Sequence, residues 1–101
     1  MRIQTETVQF KADQKLLDHI ERKLQKLERL SDRITNAIVY LKLENSGQVR
    51  DKIAEIRLHV PGQVLVAKSS SRTFESSVDD AVESLRRQLN KYKEKFRSGI
   101  S

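Results

Sequence analysis

Lys52-Ile53-Ala54-Glu55-Ile56-Arg57-Leu58-His59-Val60 runs into Pro61-Gly62 and returns as Gln63-Val64-Leu65-Val66-Ala67-Lys68-Ser69. On an extended chain Ala54, Ile56, Leu58 and Val60 point one way and Glu55, Arg57 and His59 the other, the pattern of a strand with one buried face. Pro61-Gly62 supplies the tight turn of a hairpin, and residues 63–69 its second strand. Upstream, residues 34–44 carry Ile34, Ile38, Val39, Tyr40, Leu41 and Leu43 and read as another long strand. Asn45-Ser46-Gly47-Gln48 is a turn signal. Lys42 and Glu44 alternate with apolar residues and read as solvent-facing. Residues 2–10 read as a first strand. Its apolar parity shifts between Ile3 and Val8/Phe10, so a bulge or an early end is expected.

Two helices flank this core of strands. Residues 13–30 place Leu16, Leu17, Ile20, Leu24, Leu27 and Leu30 at helical spacing, with Asp13 as N-cap. Lys15, Arg22, Lys26 and Arg29 share one flank of that stripe, with His19 nearby, and Glu21 and Glu28 lie on the other. Residues 73–97 read as a long helix entered through Ser70-Ser71-Arg72-Thr73. Val78, Val82, Leu85, Leu89, Tyr92 and Phe96 form its buried stripe. Its first half is acidic (Glu75, Asp79, Asp80, Glu83) and its second half basic, an order that complements the helix dipole. Two striped helices need a common sheet face to bury against. The expected fold is therefore α+β in the order β-α-β-β-β-α, a four-stranded mixed sheet with both helices on one face. The first strand and its crossover helix should give one parallel pair, and the hairpin is antiparallel.

The composition narrows the function. One hundred and one residues suffice for one compact domain and not two, with an ordered core expected over about 2–97. There is no Cys, so disulfides, zinc knuckles and thiolate nucleophiles are excluded. No apolar run is long enough to span a bilayer, and the polar N-terminus lacks a signal peptide's apolar stretch. A cytoplasmic location is the default expectation. Twenty Lys and Arg stand against fourteen Asp and Glu, a net +6, which points to a polyanionic partner. That excess is localised. Residues 86–97 hold Arg86, Arg87, Lys91, Lys93, Lys95 and Arg97 against Glu94 alone, so +5 of the +6 lies in about three helical turns.

Phosphate backbones suit cations fixed at intervals of one to two helix turns. The dipole and solubility explain two or three of the six bases, and phosphate binding explains the remainder. A membrane role is disfavoured, because the apolar stripe of each helix is committed to the core. No catalytic or metal constellation is present. His19 and His59, the only histidines, read as ordinary surface residues, and three glycines cannot supply a nucleotide loop. No cofactor is expected. Tyr92 and Phe96 read as core, and strand aromatics are few. This favours folded RNA recognised by charge and shape over bases stacked on a sheet.

Lys26-Leu27-Glu28 followed by Asp32-Arg33-Ile34, then Leu41-Lys42-Leu43-Glu44, Leu58-His59-Val60-Pro61-Gly62 and the run Arg87 to Lys95 give a more specific signal by their order and spacing. Across almost the whole chain they resemble the short form of the ribosome hibernation promoting factors, the ribosome-associated inhibitor or sigma-54 modulation family. The resemblance implies a fold similar to a double-stranded-RNA-binding domain. It also implies a non-enzymatic protein that binds the small ribosomal subunit, at 16S rRNA and neighbouring ribosomal proteins, in the channel for mRNA and tRNA. Such a protein inhibits translation in stationary phase or stress, and the short type promotes ribosome dimers with a second factor. The chain ends at Ser101, so neither the long members' dimerisation domain nor the inhibitor's acidic tail is expected. The free protein is expected to be monomeric.

The family's basic positions carry over to Lys23, Lys26 and Arg29 in the first helix and to Arg87, Lys91, Lys93 and Lys95 in the second. Helical projection adds Lys15, Arg22, Arg86 and Arg97. Two positions depart from the family pattern: Glu75 stands where a Tyr is common, and Ser84 where a basic residue is common. Two other functions fit the same composition, a general module for structured RNA and a protein-interaction module using the open face of the sheet.

Overall fold

The computed structural model describes residues 1–46 and 49–97. Its elements are β1 (Arg2–Val8), α1 (Gln14–Glu28), β2 (Asn36–Ser46), β3 (Val49–Val60), β4 (Gln63–Ser71) and α2 (Phe74–Arg97). The sheet order is β1-β2-β3-β4. β1 and β2 are parallel, and the two remaining pairs are antiparallel. This is the expected mixed sheet. At the hairpin turn Val60 pairs with Gln63, and Gly62 adopts φ +87°, a conformation that glycine reaches without steric cost.

Alternation decides which face is covered. Ala37, Val39, Leu41, Ala54, Ile56 and Leu58 are fully buried, all on one side of β2 and β3. Leu16, Ile20, Leu24 and Leu27 of α1 and Val78, Leu85 and Leu89 of α2 join them in one core. Tyr92 is core as well, and its hydroxyl donates to the Pro61 carbonyl at 2.9 Å, so its one polar atom is satisfied. Phe96, read as the end of the stripe, has a side chain outside the described residues. Phe74 and Ala81 are core residues that the stripe omitted.

The helix starts follow capping chemistry. The Asp13 carboxylate accepts from the Leu16 N–H at 2.8 Å, and the Thr73 hydroxyl from the Ser76 N–H at 3.1 Å. Ser77 is fully buried, and its hydroxyl donates to the Lys52 carbonyl, tying the start of α2 to β3. Element ends differ from expectation in several places. β1 stops at Val8, because Gln9 turns to φ +70° and Phe10 stacks on Phe74 with ring centroids 4.4 Å apart. This resolves the parity shift: Ile3 faces the core, whereas Val8 is exposed on the outer face. β2 and β3 extend two and three residues further towards each other than expected, and Ile34 is buried ahead of β2. Gly47 and Gln48 of the expected turn lie outside the described residues.

The topology fixes the relative direction of the helices. α1 returns from the end of β1 to the start of β2. α2 returns along β4, with Ser77 near Lys52 at one end and Tyr92 at Pro61 at the other. Both helices therefore run the same way, and both end towards the Pro61-Gly62 turn.

Leu85→Ala should lower stability by about 2–5 kcal/mol, because a fully buried methylene cluster leaves a cavity. Val66→Ala, on the exposed outer face, should change it by no more than about 0.5 kcal/mol. Urea denaturation of the two variants checks the assignment of inner and outer faces.

Candidate nucleic-acid interface

The parallel run of α1 and α2 sorts the charges by position along the helix pair. Near the start of α2, cations meet acids. His19 Nε2 lies 2.7 Å from Asp79 Oδ1, and Lys23 Nζ lies 3.6 Å from the same oxygen. His19 is therefore a tie between the helices, not the ordinary surface histidine that sequence spacing suggested. Its partner is sixty residues away in the chain, so no local pattern could have revealed it. Lys15 lies at this end as well, around a hollow with Phe10, Phe74 and Glu75. Fourteen residues of helix separate it from Arg29, about 21 Å. The structure thus does not bring Lys15 together with the cations at the helix ends.

One turn along α2, Glu83 holds two arginines. Arg86 donates to both of its carboxylate oxygens, at 2.6 and 3.1 Å, and Arg87 Nη1 lies 3.6 Å away. The hydrogen bond from Arg86 holds the Glu83 carboxyl below the ordinary glutamate range, and the same bond raises Arg86. The spacings of three and four residues were a readable signal for these pairs. Exposed pairs of this kind add little stability, and their effect here is to orient the two guanidinium groups.

Beyond Glu83 the bases predominate. Arg87 is 63% exposed in its side chain, and Lys91 and Lys95 are exposed. These three follow at four-residue intervals, so about 6 Å of rise separates neighbours along one file. Lys93, on the flank towards α1, is half-buried. It borders a hollow of about 430 Å³ together with Arg29 and Arg33. Lys26 and Arg22 are exposed on α1. Here the ends of the two helices bring Arg29, Arg33 and Lys93 around one depression, in the company of Glu28 and Asp32. Arg33 was not among the expected site residues, because it follows the helix and lies off its wheel. Arg97, which helical projection added to the expected site, has a side chain outside the described residues.

The departures from the family pattern fall away from this end. Glu75 is exposed beside Lys15, and Ser84 accepts from the Gln88 amide at 3.2 Å. His59 is half-buried on the outer side of β3, and its Nε2 is buried without a hydrogen-bond partner among the described residues. On that outer face Arg57 lies over the Tyr40 ring at 5.1 Å, and pairs with Glu55 at 3.0 Å. Among the described residues no helix is long and apolar enough to cross a membrane, and no His, Asp and Glu cluster has the arrangement of a metal site.

The Glu83 carboxyl should titrate below the usual glutamate range, and Arg86→Ala should move its midpoint back up. The sign follows from the lowered value: the stabilising pair is present above the unfolded-state midpoint and is lost as pH falls through the folded one. Side-chain carboxyl NMR over an acid titration reads both.

Comparison with known proteins gives consistent matches. Residues 3–97 match the family model described as Sigma 54 modulation protein / S30EA ribosomal protein. A ribosome hibernation promoting factor of Azotobacter vinelandii is 39% identical over 80 residues, covering 79% of this chain and 71% of the relative. One from Klebsiella oxytoca is 34% identical over 80 residues, covering 79% and 80%. A ribosome hibernation promotion factor of Deinococcus radiodurans is 32% identical over 81 residues, and there the match spans only 42% of the relative's length. Among solved structures, a ribosomal subunit interface protein from Coxiella burnetii superposes with a TM-score of 0.83 at 26% identity, covering 93% of this chain and 99% of that one. The N-terminal domain of Thermus thermophilus Protein Y gives 0.80 at 26% identity, covering 91% and 99%.

Proposed function

The chain belongs to the Sigma 54 modulation protein / S30EA ribosomal protein family, and from that premise we propose that it is a ribosome hibernation factor acting on the small ribosomal subunit. The basic ends of α1 and α2 lie on 16S rRNA phosphates at the decoding region, where the bound domain excludes tRNA and mRNA. Translation stops because the channel is filled; no bond is made or broken. Neighbouring ribosomal proteins flank the site, and promotion of ribosome dimers with a second factor belongs to the same proposal, as do action in stationary phase or stress and a cytoplasmic location.

One observation carries this reading: the file of Arg87, Lys91 and Lys95, with Lys26, Arg29 and Lys93 across the helix pair, on helices whose apolar faces are buried in the core. Helices fixed in this way hold their cations at set spacing, which is what a folded polyanion with fixed phosphates requires. Lys23 and Arg86 contribute through charges shared with Asp79 and Glu83. Arg22 extends the basic surface. Lys15, at the far end of α1, makes the smallest contribution.

Replacing Arg87, Lys91 and Lys95 together by Glu should abolish co-sedimentation with 30S subunits while circular dichroism and the melting transition stay near those of the parent. Binding that survives the triple reversal would refute the proposed face. Single neutralisations should each make the slope of log affinity against log salt shallower by about 0.7–0.9. Free duplex RNA at equal phosphate concentration should fail to displace the protein from ribosomes. Displacement would favour a general structured-RNA module.

A further inference from the structure

The basic flank of α1 belongs to the proposed RNA face, but the opposite flank does not. Gln14, Leu17 and Glu21 lie on that side and border a hollow of about 450 Å³ with Ile3, Thr5 and Ile20. The hollow opens beside β1, which is an edge of the sheet. Along a strand, N–H and C=O groups of alternate residues point to alternate sides. Arg2 directs its N–H towards β2, to the Thr35 carbonyl at 3.3 Å. The same alternation turns the backbone groups of Ile3, Thr5 and Thr7 away from β2. Ile3 and Thr5 are also the β1 residues that border the hollow. A row of backbone donors and acceptors thus runs alongside a recess that mixes apolar Ile3 and Leu17 with polar Thr5, Gln14 and Glu21.

The opposite edge of the sheet is treated differently. There the Gln88 side chain donates to the Val66 carbonyl at 3.0 Å, and the Ser69 hydroxyl lies 3.5 Å from Asp80. β4 also carries Lys68, the type of residue that blunts an edge against pairing. β1 contains neither Lys nor Pro. An edge strand with outward backbone groups beside an open groove is the geometry by which extended peptides bind through strand addition.

Charge selects the occupant. The chain is net positive, yet β1 and the adjoining side of α1 present Glu6, Asp18 and Glu21 against Arg2, while Glu28 receives the amino group of Met1. A polyanion is disfavoured there and a cationic chain favoured. We infer that β1 accepts an extended basic segment of a protein partner as a fifth strand. Side chains of that segment enter the recess over Ile3 and Leu17, and its Lys or Arg side chains reach Glu21 on one face and Glu6 on the other. This site and the proposed RNA face lie on opposite flanks of α1, so both can be occupied at once.

The isotope-labelled full chain can be titrated with the synthetic peptide Lys-Val-Lys-Val-Arg-Val-Lys and with its counterpart carrying Glu at every basic position. The basic peptide should shift the Ile3, Thr5 and Thr7 amides and slow their hydrogen exchange; the acidic one should do neither. Glu21→Lys, an exposed change, should weaken binding roughly fivefold. Thr5→Pro should abolish it, because its N–H points outward and its loss breaks no bond to β2. Shifts confined to α2, no shifts at all, or unchanged affinity in Glu21→Lys would overturn the inference. So would sedimentation showing that the free chain already pairs β1 with a second copy.

Discussion

Everything in this fold depends on one shared surface. A four-stranded sheet of this size offers a single buried face, and both helices must bury their stripes on it. α1 and α2 can only do so side by side, with their polar arcs turned out together. The crossover after β1 and the return along β4 then force the two to run in the same direction. That constraint decides the electrostatics more than any individual pair does. The acidic start of α2 falls beside the first turns of α1, and the basic end of α2 falls beside Lys26, Arg29 and Arg33. Had the helices run antiparallel, the acids of α2 would lie against the bases of α1, and the positive field would be largely cancelled.

The sequence made the sheet and helices legible because their signals are periodic and local. Ala54, Ile56, Leu58 and Val60 alternate without a break, and the Leu85, Leu89 and Tyr92 spacing continues through the middle of α2. Pro61-Gly62 marks its turn by chemistry that few other dipeptides share. The placement of the candidate site was legible only in part. Helical projection correctly separated basic from acidic flanks, but it carries no information about distance along the axis or about the neighbouring helix. Lys15 therefore looked equivalent to Arg29, although about 21 Å of helix lies between them. His19 looked like a solvent residue, because its environment is made by Asp79 of the other helix. Arg33 was missed because it belongs to no periodic element. The Phe10–Phe74 stack, which ends β1 and covers the start of α2, joins residues that no spacing rule connects.

Glu83 illustrates how a single acid tunes a basic surface. It lies at the boundary between the two halves of α2 and engages Arg86 through two oxygens and Arg87 through one. A phosphate approaching this turn must compete with that carboxylate for the guanidinium groups. The bases further along meet only Glu94 among the acids of α2. The strength of the proposed contact with RNA therefore rises towards the end of the helix.

The shared direction of the helices also gives the molecule an electric polarity. With the acids of α2 in its first half and its bases in the second, the domain behaves as a dipole as well as a net positive body. In the field of a large polyanion it experiences a torque before it makes any contact. That torque turns the basic ends inward during diffusion and raises the fraction of encounters that are already correctly aligned. At physiological ionic strength the field decays over about 8 Å, so the alignment occurs in the last few molecular displacements before contact.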